Sequence, residues 1–125
     1  MQYKDIFTLQ QRLESSKNFF KKYPGWYPVC LELGSEQNEL PSMEHRRFGF
    51  RGDLTLRGVL LHICKNTQGL ERCEPLYFIV GGEKFNWTNQ TSLESLYSDF
   101  GDDDGYLYIT YYFVSDMGKT FCRCS

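Results

Sequence analysis

Apolar residues recur along this chain with two different periods, and the switches between them predict its elements. Residues 9–22, LQQRLESSKNFFKK, place Leu9, Leu13 and Phe20 at near-helical spacing with polar groups between. Lys21 and Lys22 sit where cations favour a helix C-terminus, and Pro24 ends the helix. MQYKDIF adds a short leading helix. WYPVCLEL (26–33) reads as a strand, GSEQNELPSM as a polar loop, and RRFGFRG (46–52) as a short strand with an aromatic on either side of Gly49. Asp53 is placed to cap a helix from Leu54 to Asn66, with Leu56, Val59, Leu60 and Ile63 offered to the core. PLYFIVGG (75–82) is nearly all apolar and predicts a central strand. TSLESLYSDFG holds one short helix bearing Leu93, Leu96 and Tyr97, and GYLYITYYF (105–113) forms the last strand.

Two strands, a crossing helix and two more strands make the ββαββ plan of a β-grasp sheet. The fold class is therefore α+β: a ubiquitin-like β-grasp with a four-stranded mixed sheet and two extra N-terminal helices. The long helix covers one face and the N-terminal helices the other. No repeat or linker divides the chain, so residues 1–118 form one domain, with about 1–24 as its helical extension.

Composition narrows the function. With 125 residues, 41% of them hydrophobic and 17% aromatic, the chain can build a core without staples. A net charge of −2 argues against general nucleic-acid binding, which needs a basic surface to displace counterions. The five cysteines, an odd number, are scattered and read as reduced thiols, Cys30 and Cys64 as small buried groups. With two histidines and no Cys-x-x-Cys pair, neither a metal nor another cofactor is expected. No apolar run reaches the roughly 18 residues of a membrane span. The N-terminus has no leader pattern, so a cytoplasmic protein is expected, whose sequons at Asn86 and Asn89 do not meet the glycosylation machinery.

Asp102-Asp103-Asp104-Gly105 lacks the alternating ligands and distal Glu of a calcium loop and reads as a solvated turn. His45 and His62 accompany no nucleophile in an identifiable motif. Beyond the last strand the chain passes a lone Gly118 and ends in KTFCRCS. A glycine there suits a narrow catalytic groove that must admit bare backbone.

An ordered set of short stretches carries a resemblance: Lys21-Lys22-Tyr23-Pro24, Tyr27-Pro28-Val29, Arg46-Arg47-Phe48, Asp53-Leu54-Thr55, Ser95-Leu96-Tyr97, and Asp104-Gly105-Tyr106 through Tyr111. Between about Leu9 and Gly118 the chain resembles the autophagy ubiquitin-like modifiers, the relatives of the GABA-receptor-associated protein and of microtubule-associated protein light chain 3. The resemblance implies that a cysteine protease removes residues 119–125, and that activating and conjugating enzymes then join the Gly118 carboxyl to phosphatidylethanolamine. It implies a non-enzymatic protein, cytoplasmic until lipidated and then on the autophagosome membrane. Met117 stands where an aromatic is common.

The resemblance also implies a groove that recruits receptor proteins through short aromatic-x-x-aliphatic motifs, added as a strand to the edge of strand two. Its first pocket corresponds to Phe19, Pro28, Cys30, Arg47 and Tyr106, its second to Phe48, Phe50, Leu54 and Val59. His45 and Arg47 would attract acidic flanking residues. Taken singly, Phe48, Phe50 and Leu54 read as core packing. Gly49 replaces a large aliphatic residue between the pockets, Arg51 a proline, His62 a leucine and Ser15 an acidic residue. A wider, wetter, more basic groove is expected. Two alternatives stay open: a modifier joined to a protein lysine, and a non-covalent β-grasp module that pairs through its acidic loop.

Overall fold

A computed structural model describes residues 2–34, 47–66 and 76–113; His45, Gly118, Cys73, Cys122 and Cys124 lie outside the described residues. The elements run α1 (Tyr3–Ile6), α2 (Leu9–Lys22), β1 (Trp26–Leu33), β2 (Arg47–Arg51), α3 (Leu56–Asn66), β3 (Leu76–Val80), β4 (Glu83–Asn86), α4 (Leu93–Phe100) and β5 (Leu107–Phe113).

Helix α2 starts at Thr8, whose hydroxyl accepts from the Gln11 N–H at 3.2 Å while the Gln11 side chain accepts from the Thr8 N–H at 2.9 Å. This reciprocal box satisfies two backbone donors that the helix leaves open. At the other end the Tyr23 N–H donates to the Phe19 carbonyl (2.8 Å), and Gly25, at φ +84°, turns the chain into β1. Helix α3 departs slightly from expectation. Asp53 stays in a turn, where the Leu54 N–H donates to the Arg51 carbonyl at 3.2 Å, and the helix begins at Leu56.

The strands form one mixed sheet in the order β2-β1-β5-β3-β4. The central pair, β1 with β5, is parallel, and the other pairings are antiparallel. Among the described residues the sheet has five strands rather than the four expected. Gly81 and Gly82, at φ +59° and +83°, make a tight turn, and β4 folds back so that Phe85 faces Phe78. Positive φ at both positions suits the twist of a two-residue hairpin. The sequons lie just beyond, as turn formers: the Asn86 side chain accepts from the Thr88 N–H (3.1 Å), and Asn89 from the Thr91 N–H (2.8 Å).

Alternation along the strands separates two faces. Val29 and Leu31, Phe78 and Val80, and Leu107, Ile109 and Tyr111 are buried with Leu56, Val59, Leu60 and Ile63 of α3 and with Leu93 and Leu96 of α4. The opposite face is smaller and aromatic: Tyr3 of α1, Cys30 of β1 and Tyr106 are buried together, with Phe7 and Tyr108 against them.

The acidic loop holds α2 onto the sheet, which corrects the solvated turn expected for it. Asp104 is fully buried. One carboxylate oxygen accepts from the Arg12 guanidinium at 2.7 Å and from the Tyr108 hydroxyl at 2.5 Å, and the other from the Tyr106 N–H at 2.9 Å. The Ser16 hydroxyl donates to the Asp104 carbonyl at 2.6 Å. Gly105 has φ +92°, and a Cβ there would come within 2.2 Å of the Ser16 hydroxyl, so only glycine fits. Burial, and then Asp104, push the Tyr108 phenol far above its usual range, which keeps it a donor.

Candidate functional site

Among the described residues β2 ends the sheet, so its outer side offers backbone N–H and C=O groups to an extended partner. Its alternation divides the neighbouring side chains. Arg47, Gly49 and Arg51 pair with Cys30, Pro28 and Trp26 of β1 and lie on the α1–α2 face. Phe48 and Phe50 lie on the α3 face.

On the α1–α2 side a cavity of about 530 Å³ opens beside the strand, with Phe19, Pro28, Arg47 and Tyr106 in its walls. Four of the five residues expected in a first pocket therefore meet there. The fifth, Cys30, is wholly buried with Tyr3 and Tyr106. Tyr3, Ile6 and Phe7, not expected at the site, complete its apolar wall. The short leading helix brings them there: the Tyr3 N–H donates to a Glu32 carboxylate oxygen at 2.7 Å, and its ring meets Tyr106 edge-on at 5.4 Å. The only sequence signal was the pair of aromatics in MQYKDIF, since the register with β1 comes from the tertiary fold.

Polar groups mark one side of the cavity. The Arg47 guanidinium lies 5.3 Å from the Tyr3 ring centre and 5.8 Å from that of Phe7, held as a cation over aromatic faces. It also reaches the Tyr3 and Ser15 hydroxyls at 3.4 Å each. Ser15 bonds the Tyr106 hydroxyl at 2.5 Å, so a neutral hydroxyl pair stands where the resemblance implied an acid. Burial, followed by Tyr106, raises the Tyr3 phenol above its ordinary pKa. The phenol therefore stays neutral beside Arg47.

On the α3 side, the second group is arranged differently. Phe48 and Leu54 are half-buried against the core, Phe50 is 7% exposed, and Val59 is wholly buried. Val59 thus belongs to the core beneath them rather than to an open surface. His62 meets both aromatic rings edge-on, 4.3 Å from Phe48 and 5.0 Å from Phe50. Its pKa is lowered, first by burial and then by the charge of Lys65. Where a leucine was implied, a neutral, flat ring lines this face.

Gly49 lies between the two groups, and the missing side chain is replaced by a ring from α2. A Cβ on Gly49 would come within 2.5 Å of the Phe19 ring. Phe19 therefore rests on bare backbone and walls the large cavity. It also borders a second one of about 430 Å³, with Tyr23 and Trp26. Such a surface can hold an extended chain by its backbone and seat apolar side chains on the α1–α2 face. Among the described residues no group of three His, Cys, Asp or Glu could hold a metal ion. No helix among them is long and apolar enough to cross a membrane.

Comparison with known proteins identifies the framework around this groove. The family described as "Autophagy protein Atg8 ubiquitin like" matches residues 11–118. Autophagy-related protein 8h of Arabidopsis thaliana is 33% identical over 111 residues, covering 87% of this chain and 88% of its own. Human microtubule-associated protein 1 light chain 3 gamma is 28% identical over 109 residues, covering 87% and 73%. Among solved structures, Plasmodium falciparum Atg8 in complex with a P. falciparum Atg3 peptide superposes with a TM-score of 0.73 at 23% identity, covering 89% of this chain and 94% of that one. Trypanosoma brucei ATG8 does so with a TM-score of 0.74 at 20% identity, covering 90% and 93%. With its β-grasp sheet, its two leading helices and a family match over nearly its whole length, this chain belongs to the Atg8 family of ubiquitin-like autophagy proteins.

Proposed function

We propose that this protein is a non-enzymatic autophagy modifier, cleaved after Gly118, joined through that residue to phosphatidylethanolamine, and able to recruit receptors carrying aromatic-x-x-aliphatic motifs. In this reading it is cytoplasmic until the lipid carries it to the autophagosome membrane. Its processing partners are a cysteine protease and the activating and conjugating enzymes. The observation that carries the reading is the edge strand β2 beside an aromatic cavity of about 530 Å³ with Arg47 at its rim. An extended peptide would gain main-chain hydrogen bonds from the edge and apolar burial from the cavity, while Arg47 would favour acidic flanks. The conjugation site is supported by the family match, which runs through residue 118. The solved relative bound to an Atg3 peptide supports an analogous partner here.

Two membrane-inserted acyl chains suffice for stable anchoring where one gives only marginal binding. Attachment to a lysine of another protein would supply no such anchor. The non-covalent pairing module is disfavoured on two grounds: residues 9–22 are helix rather than strand, and Asp104 is buried against Arg12 instead of being presented.

Mass spectrometry of the protein recovered from its own cells tests the conjugation. A species ending at Gly118 and a heavier one bearing a phospholipid are expected, and Gly118→Ala should yield neither. Full-length chain alone, persisting under starvation, would refute the proposal.

A further inference from the structure

The cavity of about 430 Å³ between Phe19, Tyr23, Trp26 and Gly49 has no part in a groove of two pockets, yet it borders the same edge strand. It owes its place to two features of this chain. Gly49 leaves the backbone bare, and the Phe19 ring settles onto it. Beyond that ring, Tyr23 and Trp26 remain 46% and 42% exposed, large aromatic surfaces that the fold does not cover. Phe19 and Tyr23 lie 5.2 Å apart, and together with Trp26 they form one apolar wall.

The pleat of a bound strand decides which peptide residue meets this wall. An aromatic residue at peptide position i enters the large cavity, whose β2 lining is Arg47, Phe48 and Gly49. For the aliphatic residue at i+3 to reach Phe50 and Leu54, the peptide must run in the same direction as β2. An odd offset puts that residue on the α3 face, as the alternation requires. The residue at i+2 then falls on the α2 face, roughly 6.6 Å further along. There Gly49 gives way to Arg51, and Trp26 stands as Arg51's cross-strand neighbour. This is the position of the smaller cavity.

We propose that the groove has a third apolar site, formed by Phe19, Tyr23 and Trp26 over Gly49, and that its occupant is the i+2 residue of an acidic, extended peptide. The inference rests on the peptide-groove reading above. Charge complementarity selects the acidic partner. The Lys22 ammonium lies 5.7 Å from the Tyr23 ring centre. Arg51 is 67% exposed, its nearest acid the equally exposed Asp53 at 3.5 Å. Lys22 and Arg47 line the large cavity, and Arg51 pairs across the strands with Trp26, which walls the smaller one. The preferred motif is therefore aromatic-x-apolar-aliphatic within acidic surroundings, rather than one indifferent to its third position.

Two fluorescein-labelled peptides separate this site from the groove as a whole: Asp-Asp-Glu-Trp-Glu-Ala-Leu and Asp-Asp-Glu-Trp-Glu-Leu-Leu, titrated by anisotropy against the full chain. Burying one leucine in a half-open apolar site predicts about fivefold tighter binding for the second peptide. In Trp26→Ala that preference should fall below about twofold, while the first peptide binds as it does to the parent. Tyr23→Ala, at a second exposed position, should act in the same direction, and circular dichroism checks that both variants fold. If the first peptide binds but leucine brings no gain, or the gain survives in both variants, the third site is wrong and the groove stands. If neither peptide binds even at millimolar protein, the groove reading itself falls and the third site with it.

Discussion

His62 shows how one side chain sets the titration of an aromatic cluster. The ring packs edge-on against Phe48 and Phe50, where the apolar surroundings and the nearby Lys65 both oppose protonation. An unfolded histidine takes up its proton near pH 6.5, whereas the folded His62 resists. As pH falls through about 6.5 the unfolded chain binds the extra proton first, so stability falls with it. Chemical denaturation at a series of pH values should show the parent losing stability below about pH 6.5. His62→Leu should lose less over the same interval. A difference between the two proteins that does not change with pH would contradict the burial of this imidazole.

At the scale of elements, local signals predicted what local chemistry decides. The terminal lysines and the apolar spacing mark α2 closely, and Leu56, Val59, Leu60 and Ile63 are buried in the core as their periodicity requires. Strand β4 escaped although its signal was present: Gly81-Gly82 followed by a short run ending at Asn86 is a hairpin pattern, but the glycines read as the end of β3. The buried Asp104 is another matter. Its partners Arg12 and Tyr108 approach from 92 and 4 residues away, and three aspartates before a glycine look like a surface turn until α2 folds over them. Tyr3 and Phe7 were hidden in the same way. This latch sets the position of α2, and with it Phe19. Replacing Asp104 by Ala strands a cation and the Tyr108 hydroxyl, and should lower urea stability by about 3 kcal/mol. The double variant Arg12→Met/Asp104→Leu, which removes both charges, should recover much of that loss. If Asp104→Ala unfolds at the parent's urea midpoint, the latch contributes nothing.

For the whole molecule, net charge conceals an asymmetry. The chain carries −2 overall, yet Lys22 and Arg47 line the aromatic cavity beside β2, and the exposed Arg51 ends that strand. An acidic peptide approaching that face is attracted locally, while the protein as a whole has no field to hold nucleic acid. Because these cations are exposed, salt should weaken their pull. Raising ionic strength from about 0.1 M to about 1 M shortens the screening length from about 10 Å to about 3 Å. Binding of the Asp-Asp-Glu-flanked peptides should then weaken by about fivefold, since screening removes attractions worth about 1 kcal/mol in total. Matched peptides with Ser-Ser-Ser flanks should change less than about twofold, because cavity burial and main-chain bonds to the edge of β2 are little affected by salt. Equal salt dependence for both flanks would place the attraction elsewhere and remove the reason for choosing an acidic partner.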